Sequence, residues 1–198
     1  LGTWKTALAL VNEILRGSYK VEDGGERIVL ENGKYVKINF ASSGQQESVW
    51  ILNLLLYYFA RNRPSMFFIE EPESHLFPQT QKSIMELIAL ISNQGHSMLV
   101  TTHSPYVLGT LNNLLYAGHF RRSDRQKQAA DLFPNSLWLD HEEFDAWFVS
   151  DGKLENCMDS EIHLIQNEKI DEVSTVINED YDRLFELRHK EDGANASR

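Results

Sequence analysis

Two short apolar runs, each followed by a segment with helical periodicity, constrain this fold more than any other feature of the sequence. The runs are Ser65–Ile69 and His96–Val100, and the helical segments are Pro78–Asn93 and Ser104–Ala117. A short, continuous apolar run is typical of a strand that is buried on both faces. The alternation of such strands with helices predicts an α/β fold with a parallel sheet and right-handed crossovers.

The segments near the N-terminus predict a flanking helix and a small β-hairpin. Residues 1–20 show apolar spacings of three and four, which indicate a helix. The dipeptide Asn32-Gly33 separates the β-rich runs Arg27–Leu30 and Lys34–Phe40. An Asn-Gly dipeptide between two such runs is a strong hairpin signal.

A long helix is predicted between the hairpin and the first buried strand. Ser43 with Gln46 three residues later fits a capping box, so the helix is expected to begin there. After Val49 the segment is apolar on nearly every helical face, which predicts that the helix is buried. Pro64 is expected to end it.

The C-terminal part of the chain gives shorter signals. Leu137–Leu139 and Trp147–Val149 are predicted to be further short strands. A last helix is expected over residues 168–187, because one helical stripe there is apolar. The stripe consists of Val173, Ile177, Tyr181, Leu184 and Leu187. Residues 191–198 are expected to form a disordered tail.

The composition excludes several classes of protein. Hydrophobic residues make up 42% and charged residues 24%, which is ordinary globular usage and excludes a disordered or fibrous chain. The longest apolar run, Val49–Ala60, is too short to span a bilayer, so no membrane partner is expected. The single cysteine, Cys157, excludes an internal disulfide and a cysteine-cluster metal site. A reducing compartment, the cytoplasm, is therefore expected.

The net charge of −10 argues against a surface that coats nucleic acid, because phosphate binding needs a positive field. One basic stretch departs from this balance, with Arg121, Arg122, Arg125 and Lys127 close together. These residues either contact DNA phosphates or form a solvated loop, and the solvated loop is the favoured interpretation.

A segment rich in serine, glycine and glutamine stands at the start of the long helix. It reads Ser42-Ser43-Gly44-Gln45-Gln46. Backbone N–H groups at a helix start point outward and carry partial positive charge, which suits a phosphate group. Gly44 is expected to let a phosphate approach the backbone, and the serine hydroxyls add donors. An ordinary N-cap is the alternative interpretation.

Three carboxylates follow the first strand at its C-terminal end, where open α/β sheets bind ligands: Glu70, Glu71 and Glu73. One carboxylate there can hold Mg²⁺ through water, and the next can act as a general base toward an attacking water. His103 follows the second strand, so it is expected on the same rim as Glu71, within reach of a phosphate oxygen. A solvated acidic loop and a capping histidine are the alternatives.

Taken in order, these segments resemble the C-terminal half of an ABC-type ATPase head. Residues Ser42–Gln45 resemble the signature motif, usually Ser-Gly-Gly-Gln, which implies that all four bind nucleotide. Met66–Glu71 resembles the Walker B strand. That resemblance implies Glu71 as the catalytic glutamate and Glu70 as the residue that holds Mg²⁺ through water.

Two further segments fit the same family. Residues 72–76 resemble the D-loop region, which implies a role for Glu73, Ser74 and His75, and His103 takes the place of the switch histidine. The sequences Glu-Glu-Pro-Glu-Ser-His-Leu and Thr-Thr-His-Ser-Pro-Tyr-Val-Leu resemble the non-transporter branch most closely. That branch holds ATPases similar to RecF, the chromosome-maintenance proteins and the overcoming-lysogenization-defect family.

The resemblance implies a fold, an activity and partners. Residues 1–190 are expected to be the C-terminal lobe of a P-loop NTPase core, with flanking helices and a small N-terminal hairpin. The implied function is ATP binding and hydrolysis with Mg²⁺ by a homodimer, in which each ATP lies between one subunit's P-loop and the other's signature motif. DNA repair or phage defence is the implied process, with DNA or an effector nuclease as the partner.

One element of the family is absent from the sequence. No Gly-x-x-x-x-Gly-Lys-Ser/Thr occurs in the 198 residues, and the sequence begins at Leu1 rather than at a methionine. The chain is therefore expected to be a fragment whose P-loop half was removed or lies in another chain, and to be inactive by itself. A degenerate ATPase that never binds nucleotide is the alternative.

Glu70 replaces the usual aspartate of the Walker B strand. This departure is smaller, because glutamate still reaches a metal-bound water.

Two other functions fit the sequence less well. The first is the ATPase part of a Toprim-type nuclease, whose metal site needs an Asp-x-Asp after an apolar strand. Asp180-Tyr181-Asp182 has that spacing but lies in a helical stripe. The second is a non-hydrolysing scaffold or regulatory module. The presence of both Glu71 and His103 argues against it, because a decayed site loses its base first.

Overall fold

The computed structural model describes residues 2–61, 63–166 and 176–185. The chain divides into two units, Leu1–Ile165 and Gln166–Arg198. The elements of the first unit are, in chain order, α1 (Gly2–Leu15), β1 (Ser18–Glu22), β2 (Gly25–Val29), β3 (Tyr35–Lys37), α2 (Ser43–Arg61), β4 (Met66–Glu70), α3 (Pro78–Ser92), β5 (Ser97–Thr101), α4 (Pro105–Gly118), α5 (Gln126–Leu132), β6 (Trp147–Ser150) and β7 (Lys153–Asn156).

A pair of parallel strands, β4 and β5, positions the candidate site. The pairing runs from Met66 opposite Ser97 to Glu70 opposite Thr101, and α3 connects the two strands. This arrangement confirms the predicted parallel strands with an intervening helix. Because both strands run in the same direction, the loops that follow them begin at the same edge of the sheet.

One face of this two-stranded sheet is left uncovered by the described residues. Phe67 of β4 is buried, and its ring packs against that of Tyr58 on α2. On the opposite face Phe68 is 71% exposed, and Met66 and Leu99 are exposed as well. The prediction that both strands are buried on both faces is therefore wrong for these residues. An apolar run does not show whether the element that covers it lies in the same stretch of chain.

Helix α3 forms the centre of the core. It begins at Pro78, a first-turn position in which a proline sacrifices no helical hydrogen bond. Every residue from Ser83 to Ile91 is buried, and α1 and α4 pack against the helix. Each buried aliphatic side chain contributes roughly 1.5–3 kcal/mol. The connection between β4 and β5 is therefore held firmly by the core.

The N-terminal segment forms a three-stranded antiparallel sheet in the order β1-β2-β3. The hairpin predicted at Asn32-Gly33 is confirmed as the turn between β2 and β3, and Gly33 has the positive φ, 77°, that this turn needs. The prediction of a helix over residues 1–20 is wrong after Leu15. Arg16 takes a left-handed conformation there, and Ser18–Glu22 pairs with β2 as a strand.

Helix α2 is capped one residue earlier than expected. The Oγ of Ser42 accepts the backbone N–H of Gln45 at 3.3 Å, and Oε1 of Gln45 accepts the backbone N–H of Ser42 at 3.2 Å. This reciprocal pair is a capping box. The expected pair of Ser43 with Gln46 is therefore wrong by one residue, and Gln46 donates instead to the carbonyl of Ala41.

The outer face of α2 is also more open than the sequence predicted. Trp50 is 74% exposed, and Leu54 and Tyr57, on the next turns of the same face, are about half exposed. Leu52 and Leu55 are buried on the other side. The prediction that this helix is buried on nearly every face is wrong for the described residues.

Beyond α4, one of the two predicted short strands is present. Residues 147–149 lie in β6, which pairs with β7 in an antiparallel ladder. Residues 137–139 do not form a strand. Leu137 is the last residue of a short 3₁₀ helix, and Trp138, which follows it, is completely buried. The guanidinium of Arg121 donates to the carbonyl of Trp138, so one cation of the basic stretch supports the fold.

The second unit is described over residues 176–185, which are helical, as the apolar stripe predicted. Ile177, Tyr181 and Leu184 lie in this helix and are exposed. Val173, Leu187 and the expected tail over residues 191–198 lie outside the described residues. Within the described parts of the chain, no helix is long and apolar enough to cross a membrane.

Replacing Gln45 with alanine is expected to destabilise the chain. The Gln45 amide also donates to the carbonyl of Leu15 at 2.7 Å, so it ties α2 to the end of α1. The variant should lose about 1–3 kcal/mol of unfolding free energy, because the capping box and this bond disappear together. Urea denaturation followed by circular dichroism measures the loss. Gln46→Ala, which removes only one bond to Ala41, is the control, and equal losses in both variants would contradict the prediction.

Candidate functional site

The loops that follow β4 and β5 bring Glu71 and His103 together. Oε1 of Glu71 lies 3.2 Å from Nδ1 of His103. Both side chains are accessible, with 44% of the carboxylate side chain and 75% of the imidazole side chain exposed. The structure thus places both residues on one rim, in contact with each other and open to a ligand.

Glu71 is held in a constrained conformation. Its φ of 44° lies in the left-handed region, which is uncommon for a residue other than glycine and costs energy. The Glu71 backbone N–H donates to the carbonyl of Thr101 at 3.0 Å. Its Oε2 accepts a hydrogen bond from Oγ of Ser74 at 3.2 Å. The carboxylate is therefore fixed on one side by Ser74 and on the other by His103.

Glu73 points inward, unlike the two acids that precede it. Its side chain is buried, and Oε1 accepts hydrogen bonds from Oγ1 of Thr102 and from the backbone N–H of His103. Its Oε2 is buried with no hydrogen-bond partner within the described residues. Glu73 therefore bridges the two loops of the rim. No pattern in the sequence distinguishes it from Glu70 and Glu71.

Ser104 fixes the second loop from the side of the core. Its Oγ accepts the backbone N–H groups of Tyr106 and Val107 and so caps α4. The same hydroxyl donates to Oε1 of Gln81 on α3 at 2.6 Å, and the Ser104 backbone N–H donates to Oγ1 of Thr102. A serine directly before a proline is a cap signal in the sequence. The bond to α3 had no such signal.

Glu70 ends β4 on the uncovered face of the sheet and is exposed. A carboxylate in this place suits Mg²⁺, which prefers oxygen ligands, keeps several waters and often uses one or two carboxylates with substrate phosphates. Across the described ranges, no group of three or more His, Cys, Asp or Glu side chains is placed to hold a metal ion. The exposed carboxylate of Glu70 fits such an ion because Mg²⁺ needs few protein ligands beside its waters and phosphate oxygens.

The start of α2 offers a ligand fewer side chains than the sequence suggested. The Ser42 hydroxyl and the Gln45 amide are engaged in the capping box and with α1. Gly44 is buried, whereas Ser43 is exposed. Within the described residues no hydrogen bond to the Ser43 hydroxyl is found. Ser43 is therefore the side chain of this motif that a ligand can reach most easily.

Gly44 has a reason to be glycine within its own chain. A Cβ at this position would lie 2.5 Å from the carbonyl oxygen of His75. Loop 71–77 of the same chain thus occupies the Cβ direction of Gly44, which is a packing reason for glycine here, and the approach of a phosphate to the Gly44 backbone stays a prediction. The Nε2 of His75 also lies 3.6 Å from Oε1 of Glu47, so the start of α2 packs directly on this loop.

Gly44→Ala is expected to destabilise the protein in the absence of any nucleotide. The loss should be about 1–3 kcal/mol, since the added Cβ overlaps the His75 carbonyl. Gly109→Ala is the matched control, because this helical glycine has no atom within 4 Å of the Cβ position, and alanine favours a helix there. Thermal unfolding compares the two. A Gly44→Ala protein as stable as the parent would show that the close contact does not constrain this position.

A search of solved structures shows that the fold has been seen before. One similar structure is described as "Structural biochemistry of ATP-driven dimerization and DNA stimulated activation of SMC ATPases". The TM-score is 0.50 and the sequence identity is 12%, over 89% of this chain and 91% of that chain. At this identity the likeness concerns the fold alone, and it confirms the predicted α/β class of a P-loop NTPase core.

Curated relatives match a shorter part of the chain. The cell division ATP-binding protein FtsE of Mycobacterium tuberculosis is 28% identical over 87 residues, which are 44% of this chain and 36% of that protein. The macrolide export ATP-binding/permease protein MacB of Neisseria gonorrhoeae is 30% identical over 74 residues, or 37% of this chain and 11% of that protein. The matches thus span about a third of FtsE and about a tenth of MacB.

The AAA ATPase domain family matches residues 3–108, which is more than half of the chain. The matched range includes the start of α2, the parallel strands and both loops that carry Glu71 and His103. The chain therefore belongs to the AAA ATPase domain family.

Proposed function

We propose that this chain supplies the hydrolytic rim of an ATPase and that a P-loop outside these 198 residues completes the site. The observation that carries the proposal is the 3.2 Å contact between Glu71 and His103 at the carboxyl ends of two parallel strands. A carboxylate and an imidazole in contact at such an edge suit proton transfer beside a bound phosphate. Membership of an ATPase family supports ATP as the substrate.

In this proposal Glu71 is the general base. Its carboxylate, oriented by Ser74, takes the proton of a water that attacks the γ-phosphate of ATP. Because Nδ1 of His103 faces the carboxylate, that nitrogen carries a proton and Nε2 is left for the substrate. Nε2 accepts a hydrogen bond from the attacking water when the ring is neutral, and donates one to a γ-phosphate oxygen when the ring is protonated.

Glu70 and the start of α2 have separate proposed roles. Glu70 would hold Mg²⁺ through water at the end of β4, and the bound ion supplies neutralisation of phosphate charge. Residues Ser42–Gln45 would place the N-terminus of α2 against a phosphate, where the helix dipole favours a negative charge. The exposed hydroxyl of Ser43 is the side-chain donor proposed to reach that phosphate.

The uncovered face of the β4–β5 sheet supports the proposal of a separate P-loop segment. A sheet of two strands is smaller than the usual four to six. Covering Met66, Phe68 and Leu99 would stabilise the assembly by burying apolar surface. The segment that carries the P-loop is proposed to pack on this face, and Glu70 at its end would then lie beside the bound phosphates.

A homodimer is proposed in which each ATP lies between the P-loop of one subunit and the signature motif of the other. The similar solved structure supports this, because its description names ATP-driven dimerization. The same description names DNA-stimulated activation, which supports DNA as a partner, with an effector nuclease as the alternative partner. Action in DNA repair or phage defence, and a cytoplasmic location, stay predictions.

The Toprim-type nuclease gains no support from the described residues. Asp180 and Asp182 lie within the helical residues 176–185, whereas such a site needs carboxylates after a strand. Asp180 lies 3.5 Å from the guanidinium of Arg183. A non-hydrolysing scaffold is the remaining alternative, and measurement of turnover decides it.

Glu71→Gln should abolish turnover of the P-loop-containing protein and leave ATP binding intact. The amide preserves the shape of the side chain but cannot accept a proton, and general-base catalysis contributes about 10²–10⁴-fold. Steady-state hydrolysis and equilibrium ATP binding measure the two effects. Glu142→Gln, which removes an exposed carboxylate outside the site, is the control. Nearly unchanged hydrolysis by the Glu71→Gln protein would place the base elsewhere.

Ser43 tests whether the start of α2 acts on the ATP of the partner subunit. Ser43→Glu adds a carboxylate where the phosphate would dock, yet an acidic residue in the first turn stabilises the helix itself. Gly44 is unsuitable for this test, because its substitution disturbs His75 in the same chain. When the inactive Ser43→Glu and Glu71→Gln proteins are mixed, each heterodimer keeps one intact composite site, and part of the hydrolysis should return.

Single-turnover hydrolysis in this mixture is the decisive measurement, because it detects hydrolysis at one site even if repeated turnover requires both sites of a dimer. Native mass spectrometry verifies that heterodimers have formed. If they are present and no ATP is hydrolysed even in a single turnover, the signature motif does not act across the dimer.

A further inference from the structure

The bridge made by Glu73 is not used by the proposed chemistry. Glu73 is 4% exposed, and its Oε1 accepts the hydroxyl of Thr102 and, at 3.2 Å, the backbone N–H of His103. Glu73 is therefore bonded directly to the backbone of the residue whose imidazole contacts Glu71.

Few other contacts join the two loops of the rim. The β4–β5 ladder ends at Glu70 opposite Thr101, and the N–H of Glu71 adds one more bond to Thr101. Beyond this point, the hydrogen bonds described between residues 72–77 and residues 102–105 are the two that Glu73 accepts. Glu73 is thus the side chain that joins the two loops directly, whereas Gln81 of α3 joins them from the side of the core, through Ser104 and the carbonyl of Leu76.

The position of His103 needs such support. Its imidazole is three-quarters exposed, so packing restrains it little. Ser104, the residue after His103, is anchored to α3 and α4, but it makes no direct bond to the loop that carries Glu71. Glu73 lies in the same loop as Glu71, two residues further on. The N–H of Leu76 donates to the Glu73 carbonyl at 3.0 Å. A carboxylate fixed in this loop therefore sets the distance between Glu71 and His103.

We propose that Glu73 is a positioning residue that holds the backbone of His103 where its imidazole meets the Glu71 carboxylate. The inference rests on the proposed function, since it assigns a role within the same site. Glu73 does not itself act as a base, because its bonded oxygen faces the second loop and its other oxygen is buried. Burying a carboxylate oxygen without a partner costs free energy. An apolar side chain of similar size would fill the same space without this cost.

The first test uses the 198-residue chain without nucleotide. The ¹⁵N shifts of the His103 ring report the 3.2 Å contact between Nδ1 and Oε1 of Glu71, and this shift pattern is called the ring signature below. Amide exchange reports the hydrogen bond from the His103 N–H to Glu73. Glu73→Met keeps the length of the side chain and removes the acceptor. It should abolish the ring signature and speed exchange of the His103 amide by about tenfold or more, as expected for the loss of a bond to a charged group.

Two further variants separate positioning from a general loss of structure. Glu73→Gln keeps a carbonyl oxygen that can accept both bonds, so it should restore the ring signature. Glu86→Met removes another carboxylate that is about 5% exposed, on α3, where it pairs with Lys82. That control should lower stability without changing the His103 ring. If Glu73→Met does not fold, Glu73→Asp, which is one methylene shorter, is compared with Glu73→Gln in the same way.

The second test measures hydrolysis by the P-loop-containing protein. Glu73→Met should lower kcat by about 10–100-fold, because a small misplacement of a reacting group has an effect of this size. KM for ATP should change little, and in a His103→Ala background the Glu73→Met change should have almost no further effect on kcat.

The two tests fail in different ways. An unchanged His103 ring in folded Glu73→Met, the same change in Glu86→Met, or the absence of rescue by Glu73→Gln would overturn the positioning role. If Glu73→Met loses the ring signature but the unmutated P-loop-containing protein does not hydrolyse ATP, Glu73 still positions His103. That result would reject the proposed ATPase function alone.

Discussion

Parallel pairing of β4 with β5 determines where the two loops of the candidate site begin. It puts the ends of both strands at one edge, so that loops separated by the whole of α3 begin side by side. Because α3 is buried along most of its length, the two strands cannot slide relative to each other without disrupting the core. The geometry of Glu71 and His103 is therefore determined by the packing of apolar residues that lie outside the rim.

The sequence was sufficient to predict those features that depend on local pattern and on chain direction. Strand–helix alternation indicated the parallel pair, and the strand ends located Glu71 and His103 on one rim. The Asn32-Gly33 turn was predictable because it places Gly33 at a positive φ, which residues other than glycine rarely adopt. None of these features requires knowledge of which distant side chains come into contact.

The features that the sequence did not predict depend on contacts between distant segments. Glu73 lies in a run of acids that looks uniform, and its inward direction is set by Thr102 and His103 in the next loop. The open faces of α2 and β4 were missed for a related reason. Apolar residues such as Trp50 and Phe68 indicate burial, but among the described residues most of the surface of both side chains is exposed. The role of Gly44 was also hidden, because its neighbour His75 lies beyond the rest of α2 and the whole of β4 along the chain.

The close packing of Gly44 against the His75 carbonyl leaves little room for the start of α2 to move toward loop 71–77. Movement of the helix start toward the loop would meet steric repulsion, whereas movement away would lose only the contact of His75 with Glu47, whose side chains are both about half exposed. The same loop begins at Glu71 and is anchored at Glu73. A load that pressed the helix start onto this loop would thus bear on the segment that carries Glu71, whereas a load that pulled it away would not.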